Sequence, residues 1–319
     1  MNGEQFGGVH FEWEELFIGF LKHLEGKGCS GSTLRSSGDR LVVFLEYLEE
    51  RGLTVQAVGQ EEMKGYEWWL LGRKTEATGT PWKPSTRGAY IHTLKGFFHW
   101  LEKEGKILSD PSFVIQEPKL EEALPRALRE EEVERLLSAP DTKTAQGVRD
   151  RAILEAFYST GLRLSEMAGL ILEDVSLEEG WVRVNQGKGA KDRVVPLGPR
   201  AGQALRAYLE KVRPQYLNGK KEPRVLWLSQ RMGEPLSAQM LRLIVKRYAR
   251  EAGLPKETTT HVLRHSFATH LVKHGAPVEA VSAMLGHSRL HMTQRYVAVA
   301  AKEVKETHEA CHPREREAV

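Results

Sequence analysis

The chain has 319 residues, 40% hydrophobic and 28% charged, with a formal net charge of +3 at pH 7; this is the balance of a globular protein in water, long enough for two domains. No apolar run reaches membrane-span length, the stretch at 41–45 stopping at Glu46, and residues 1–15 lack the basic start and apolar centre of a secretory leader. Only Cys29 and Cys311 occur, at opposite ends, which argues against a disulfide framework and fits a reducing, cytoplasmic setting.

Apolar residues at spacings of three and four predict four helices in the first third of the chain, at 11–25, 33–50, 61–72 and 85–104. Gly52 stops the second, and Ser85 after Pro84 is the expected cap of the fourth. The pattern lapses between Asp110 and Pro125, where three prolines and three glutamates mark a linker. A second domain then opens on the acidic turn Glu130–Glu132. Within it, 148–170 reads as helix, turn, helix, and 181–197 as a β-hairpin turning at GKGAKD. Helices follow at 200–212, 236–252, 261–274 and 277–285, the last ended by Gly286. A helix to about Ala310 and a polar tail complete the chain. The expected fold is mainly α (α+β): an N-terminal helical domain (1–112), a linker (113–125), and a mostly helical C-terminal domain (126–319) with a small antiparallel hairpin.

The charge is unevenly spread. Residues 1–120 hold 14 Lys and Arg against 17 Asp and Glu, and the rest hold 32 against 26. The basic excess lies in the half that carries a spaced set of reactive side chains: Arg163, Lys188, His261, Arg264, His287 and Tyr296. Cations and histidines suit a phosphate under attack, and a phenol suits the attacker. With no carboxylate cluster beside them, the combination points to metal-free strand transfer in DNA.

Each residue also has a plainer reading. His261 and Arg264, three apart on one helix face, either cover a core or hold a phosphate, for which arginine's planar fork is suited. Arg163 and Glu166 either form a surface ion pair, or Glu166 orients an arginine that faces the phosphate. Lys188, between two glycines, is either a solvated hairpin lysine or a proton donor to a leaving oxygen. Its GKG lacks the rest of a nucleotide-binding loop. His287 follows a helix-ending glycine. Tyr296, a phenol with a reference pKa near ~10, is either a packing residue or a nucleophile that needs help to ionise. His261, His265, His270, His274, His287 and His291 follow no HExxH spacing and lack cysteine partners, which argues against zinc at that set.

Together these residues resemble the tyrosine recombinase (phage integrase) family, whose pattern R…K…HxxR…H…Y reads here as Arg163, Lys188, His261-x-x-Arg264, His287 and Tyr296. The flanks TGLRLSE, GKGAKDRVVPL, HVLRHSFATHL and LGHSRLHMTQRY match as well, over about 126–312. The ending HEACHPRE resembles the Xer subgroup. Two positions depart from the usual family pattern: Val297-Ala298 in place of Thr-His, and Thr260 where proline often stands.

The resemblance implies an enzyme that binds double-stranded DNA at a target site, with residues 1–112 as core-binding domain and 126–319 as catalytic domain. Tyr296 would attack a backbone phosphate, leaving a 3′-phosphotyrosyl bond and a free 5′-hydroxyl. Arg163 and Arg264 would bind the non-bridging oxygens, joined by His287. His261 would assist removal of the phenol proton, and Lys188 would protonate the 5′-oxygen. No metal, ATP or other cofactor is implied. A homo- or hetero-tetramer would form at synapsis, the helix at about 302–311 and its tail being either an exchange tail docked on a neighbouring protomer or a frayed, solvated end, and Arg35, Arg87 and Lys95 are candidate phosphate contacts. The rival readings are a type IB topoisomerase, a non-catalytic DNA-binding protein and a metal-dependent nuclease.

Overall fold

The structure is a computed structural model. It describes residues 3–54, 57–119, 127–185, 192–217, 223–231, 233–286 and 305–316, with side chains from Trp13 to Arg314. The chain folds as two compact units, Met1–Ala123 and Leu124–Val319.

The first unit is four helices, α1 (Gly3–Gly26), α2 (Gly31–Glu49), α3 (Gln60–Gly72) and α4 (Pro84–Lys103). Their starts are chemically marked. The Ser30 hydroxyl accepts the Thr33 N–H at 3.2 Å ahead of α2, and the Glu62 carboxylate accepts the Gly59 N–H at 2.9 Å ahead of α3. At α4 the expectation of a Ser85 cap is corrected. Lys83 is the capping residue and Pro84 the first helical one, because proline's fixed φ suits the first turn and its missing N–H is no loss there.

The core of this unit is aromatic. Trp13 is fully buried, with ring centroids 5.8 Å from Phe17, 5.8 Å from Phe44 and 6.3 Å from Phe97. Rings of this size each remove roughly 150–250 Å² from water, so three helices meeting at one indole have a strong reason to stay together. The chain beyond α4 also belongs to the unit as far as Ile115. A 3₁₀ turn at Pro111–Val114 opens on the Asp110 carboxylate, which accepts the Ser112 N–H at 2.7 Å. Ile115 then enters the core, and its carbonyl accepts from Lys95 Nζ at 2.9 Å.

The second unit is built around α6 (Ala145–Thr160), preceded by α5 (Glu130–Ser138) and followed by α7 (Leu164–Gly169). Every residue of α6 from Ala152 to Thr160 is buried, as expected of a helix covered on all sides. A small antiparallel sheet comes next, in the order β1 (Val175–Ser176), β2 (Trp181–Val184) and β3 (Arg193–Pro196). β2 and β3 are the expected hairpin. The two-residue β1 was not expected, since so short a strand carries no period.

Helix α8 (Pro199–Ala207) runs through a wide turn at Tyr208–Val212 into α9 (Arg213–Leu217). Helices α10 (Ala238–Glu251), α11 (Thr260–Lys273) and α12 (Val278–Leu285) follow. Residues 305–311 form α13, and Pro313–Arg316 form the single turn α14. The architecture is the expected one, mainly helical with a small antiparallel sheet.

The segment 305–316 lies against its own chain. His308 and His312 are fully buried, and each donates through Nε2 to a carbonyl of α6, His308 to Ser159 at 2.8 Å and His312 to Tyr158 at 3.3 Å. Arg314 pairs with Glu134 of α5 and Glu155 of α6.

Candidate active site

Helix α6 ends at Gly161, which sits in the left-handed region at φ 60° and ψ 23°. A Cβ there would lie 2.4 Å from the Phe267 ring of α11, so glycine is required both for the turn and for the approach of α11. Two residues later Arg163 precedes α7 as its capping residue. The Thr160 hydroxyl donates backwards to the Ala156 carbonyl at 2.6 Å. The start of α7 is served instead by Glu166, whose Oε2 accepts the Arg163 N–H at 2.7 Å.

Glu166 is the hub of the site. Its Oε1 accepts from Arg163 Nη1 at 2.9 Å. Arg193, at the start of β3, grips both of its oxygens, Nη1 to Oε1 at 3.0 Å and Nη2 to Oε2 at 2.9 Å. Burial by itself would raise the carboxyl pKa. The hydrogen bonds from Arg193 and from the Arg163 backbone, with the Arg193 charge, outweigh it and bring Glu166 down to about 2.

Three arginines converge on the last turn of α12. Arg193 Nε donates to the Met284 carbonyl at 2.8 Å, Arg264 Nη2 to that of Leu285 at 2.6 Å, and Arg163 Nη2 to that of Gly286 at 3.3 Å. These carbonyls carry the negative end of the helix dipole and lack partners within the helix. Gly286 ends α12 in the left-handed region at φ 66°, as expected. Arg264 also donates Nη1 to the Gly161 carbonyl at 2.7 Å, which joins the end of α6 to the end of α12.

The cluster has unequal charge. Arg163, Arg193 and Arg264 face the carboxylate of Glu166. Arg264 is buried, at 7% exposure, whereas the Arg163 side chain is 43% exposed. Burial first, then the neighbouring Arg163 charge, pull Arg264 down to about 10, with Glu166 opposing and Arg193 adding to the fall. It remains a cation at neutral pH.

A family model described as the phage integrase family matches residues 126–303. The chain belongs to the phage integrase family. It is 38% identical over 288 residues to tyrosine recombinase XerD of Pseudomonas putida, covering 90% of this chain and 93% of that protein. It is 39% identical over 288 residues to tyrosine recombinase XerC 2 of Ralstonia nicotianae, covering 90% and 82%. Among solved structures, the post-cleavage complex of the XerH site-specific recombinase with a palindromic difH substrate aligns with a TM-score of 0.64 at 24% identity. That alignment covers 85% of this chain and 79% of that one. A lambda integrase tetramer bound to a Holliday junction aligns with a TM-score of 0.65 at 19% identity, covering 92% and 77%. At these identities the structural likeness speaks for the fold.

Of the residues expected at the recombinase active site, the structure brings together Arg163, Glu166 and Arg264. His261 lies one turn before Arg264 on α11 and is exposed. Lys188, His287 and Tyr296 lie outside the described residues. Arg193 was missed by sequence reasoning, although a signal existed. In an antiparallel strand residues two apart share a face, so Arg193 points the same way as the buried Val195. An arginine there needs a partner. Of the suggested phosphate contacts, Arg35 is exposed, Arg87 is half-buried, and the Lys95 ammonium is bound to Ile115. Among the described residues no helix is long and apolar enough to cross a membrane.

Proposed function

We propose that this tyrosine recombinase cuts and rejoins DNA at a specific site, with Tyr296 as nucleophile. The phenol oxygen bonds to the scissile phosphorus as the bond to the 5′-oxygen breaks. The phenol proton passes to His261, and Lys188 protonates the departing 5′-oxygen. The product is a 3′-phosphotyrosyl ester and a free 5′-hydroxyl. The ester keeps the energy of the broken bond, so a 5′-hydroxyl from another strand reverses the step without ATP.

The observation that carries this reading is the surplus of guanidinium charge around Glu166. Three cations held against one carboxylate, one of them half open to solvent, favour an incoming anion with several oxygens. Arg163 and Arg264 are assigned to the non-bridging oxygens, where charge grows in the transition state, with His287 adding a hydrogen bond. The partner is DNA. Residues 1–112 are assigned to core binding and 126–319 to catalysis. Strand exchange between two duplexes takes four active sites, which we assign to a tetramer of identical or paired recombinases.

The test uses a target site selected from bound fragments and carrying a nick beside the scissile phosphate, so that cleavage is trapped. Wild type is expected to form a protein–DNA adduct in EDTA and Tyr296→Phe to form none. An adduct with Tyr296→Phe, or none with wild type, overturns the assignment. Efficient relaxation of a supercoiled plasmid lacking the site would favour the topoisomerase reading.

A further inference from the structure

We infer that Arg193 is a positioning residue of the recombination site, orienting Glu166 and the end of α12 without touching the DNA. The inference rests on the strand-cleavage reading above and adds a residue that the R…K…HxxR…H…Y pattern leaves out. Its fork on Glu166 sets it apart from Arg264, and its burial sets it apart from Arg163. Its side chain is only 10% exposed. Its Nη1 and Nη2 lie along the two oxygens of Glu166, a paired fork that fixes the carboxylate in its plane. Its Nε is spent on the Met284 carbonyl. Those bonds commit each of the three guanidinium nitrogens to a protein group.

What Arg193 joins explains its use. Glu166 passes the constraint to Arg163 through the backbone N–H and the guanidinium. The Met284 carbonyl lies three residues before His287 in the chain, and Arg193 itself lies five residues after Lys188. One buried cation is therefore bonded to α7 and α12 from the strand that returns from the lysine hairpin. A misplacement of catalytic groups by about 1 Å costs on the order of 10²-fold in rate, so losing this brace should be felt in chemistry more than in DNA binding.

The test compares wild type, Arg193→Ala and Arg193→Lys on the nicked target site. The expected result is DNA affinity within about 3-fold of wild type and single-turnover cleavage lowered on the order of 10²-fold in the alanine variant. Lysine, with one nitrogen in place of three, should recover part of the rate. A second signature separates positioning from bulk stability. Around Glu166 the charged groups are Arg163 before α7, Arg193 on β3 and Arg264 on α11. Removing Arg193 releases the carboxyl from about 2 toward its ordinary 4.5, so the deficit in cleavage should widen as pH falls from about 5 toward about 4. Should the alanine variant fail to fold, the lysine variant carries both readouts. A folded variant that cleaves at the wild-type rate, or whose deficit is flat with pH, overturns the inference. A wild type that forms no adduct removes the strand-cleavage reading as well, which distinguishes the two failures.

Discussion

The Phe267 ring fills the space that any side chain on Gly161 would need, its nearest carbon lying 2.4 Å from the position of a Cβ. Because the Gly161 carbonyl also receives Arg264, this contact bears on where α6 ends and where the Arg264 guanidinium sits. Gly161→Ala should cost about 2–4 kcal/mol, from left-handed backbone strain plus overpacking. Thermal unfolding of the variant is expected roughly 5–15 °C below wild type, with cleavage lost even at temperatures where it is folded.

Glu166→Gln keeps the shape and removes the charge that Arg163 and Arg193 share. Cleavage should fall between about 10-fold and 10²-fold, and stability by about 2 kcal/mol after allowing for solvent at the half-exposed Arg163. The sign with pH is fixed by the lowered pKa. The folded carboxyl titrates at about 2, below its ordinary 4.5, so its contribution is complete above 4.5 and disappears as pH falls toward 2. Denaturant melts of wild type and variant should therefore differ most above pH 4.5 and converge below it.

His308 and His312 stack with centroids 4.6 Å apart and planes at 12°. Burial pushes His308 down to about 4 against the bond to Ser159, and burial followed by the His308 charge pushes His312 well below its ordinary 6.5. Both rings are neutral where docked, and a released tail takes up protons below 6.5. Docking of 305–316 should weaken as pH falls from 6.5 toward 4. Hydrogen exchange of that segment, corrected for intrinsic rate, should accelerate across this window relative to α6. An unchanged protection ratio would contradict the burial of these rings.

Lys95 was a candidate phosphate contact on sequence grounds, but its ammonium holds the Ile115 carbonyl. Lys95→Ala should lower stability by about 1 kcal/mol and leave the salt dependence of DNA binding unchanged. A loss of about one unit in the slope of log affinity against log salt would instead make it a phosphate contact.

Much of this was legible before any coordinates. Helices α2, α3, α10, α11 and α12 showed their apolar spacing and their ends, and Gly286 marked the end of α12 because glycine accepts a positive φ. Arg163, Glu166 and Arg264 were found by type and spacing. Arg193 was passed over because an arginine just past a GKGAKD turn reads as solvated, although its two-residue spacing from Val195, and its strand partner Val184, place it on the inward face. The buried pair His308 and His312 was also hidden. A polar tail gives no sign that α6 will offer it two carbonyls, since that depends on contacts about 150 residues apart in sequence.

The central claim is that buried Arg264 neutralises the charge of the phosphate being cut. The most direct measurement is cleavage by wild type and Arg264→Ala on the target site with the scissile phosphate replaced by an uncharged methylphosphonate. On the natural phosphate the variant should be slower on the order of 10²-fold or more, and on the methylphosphonate that deficit should largely close, because the missing cation no longer has a charge to meet. An equal deficit on both substrates would contradict the account and leave Arg264 as a structural tie between Gly161 and Leu285.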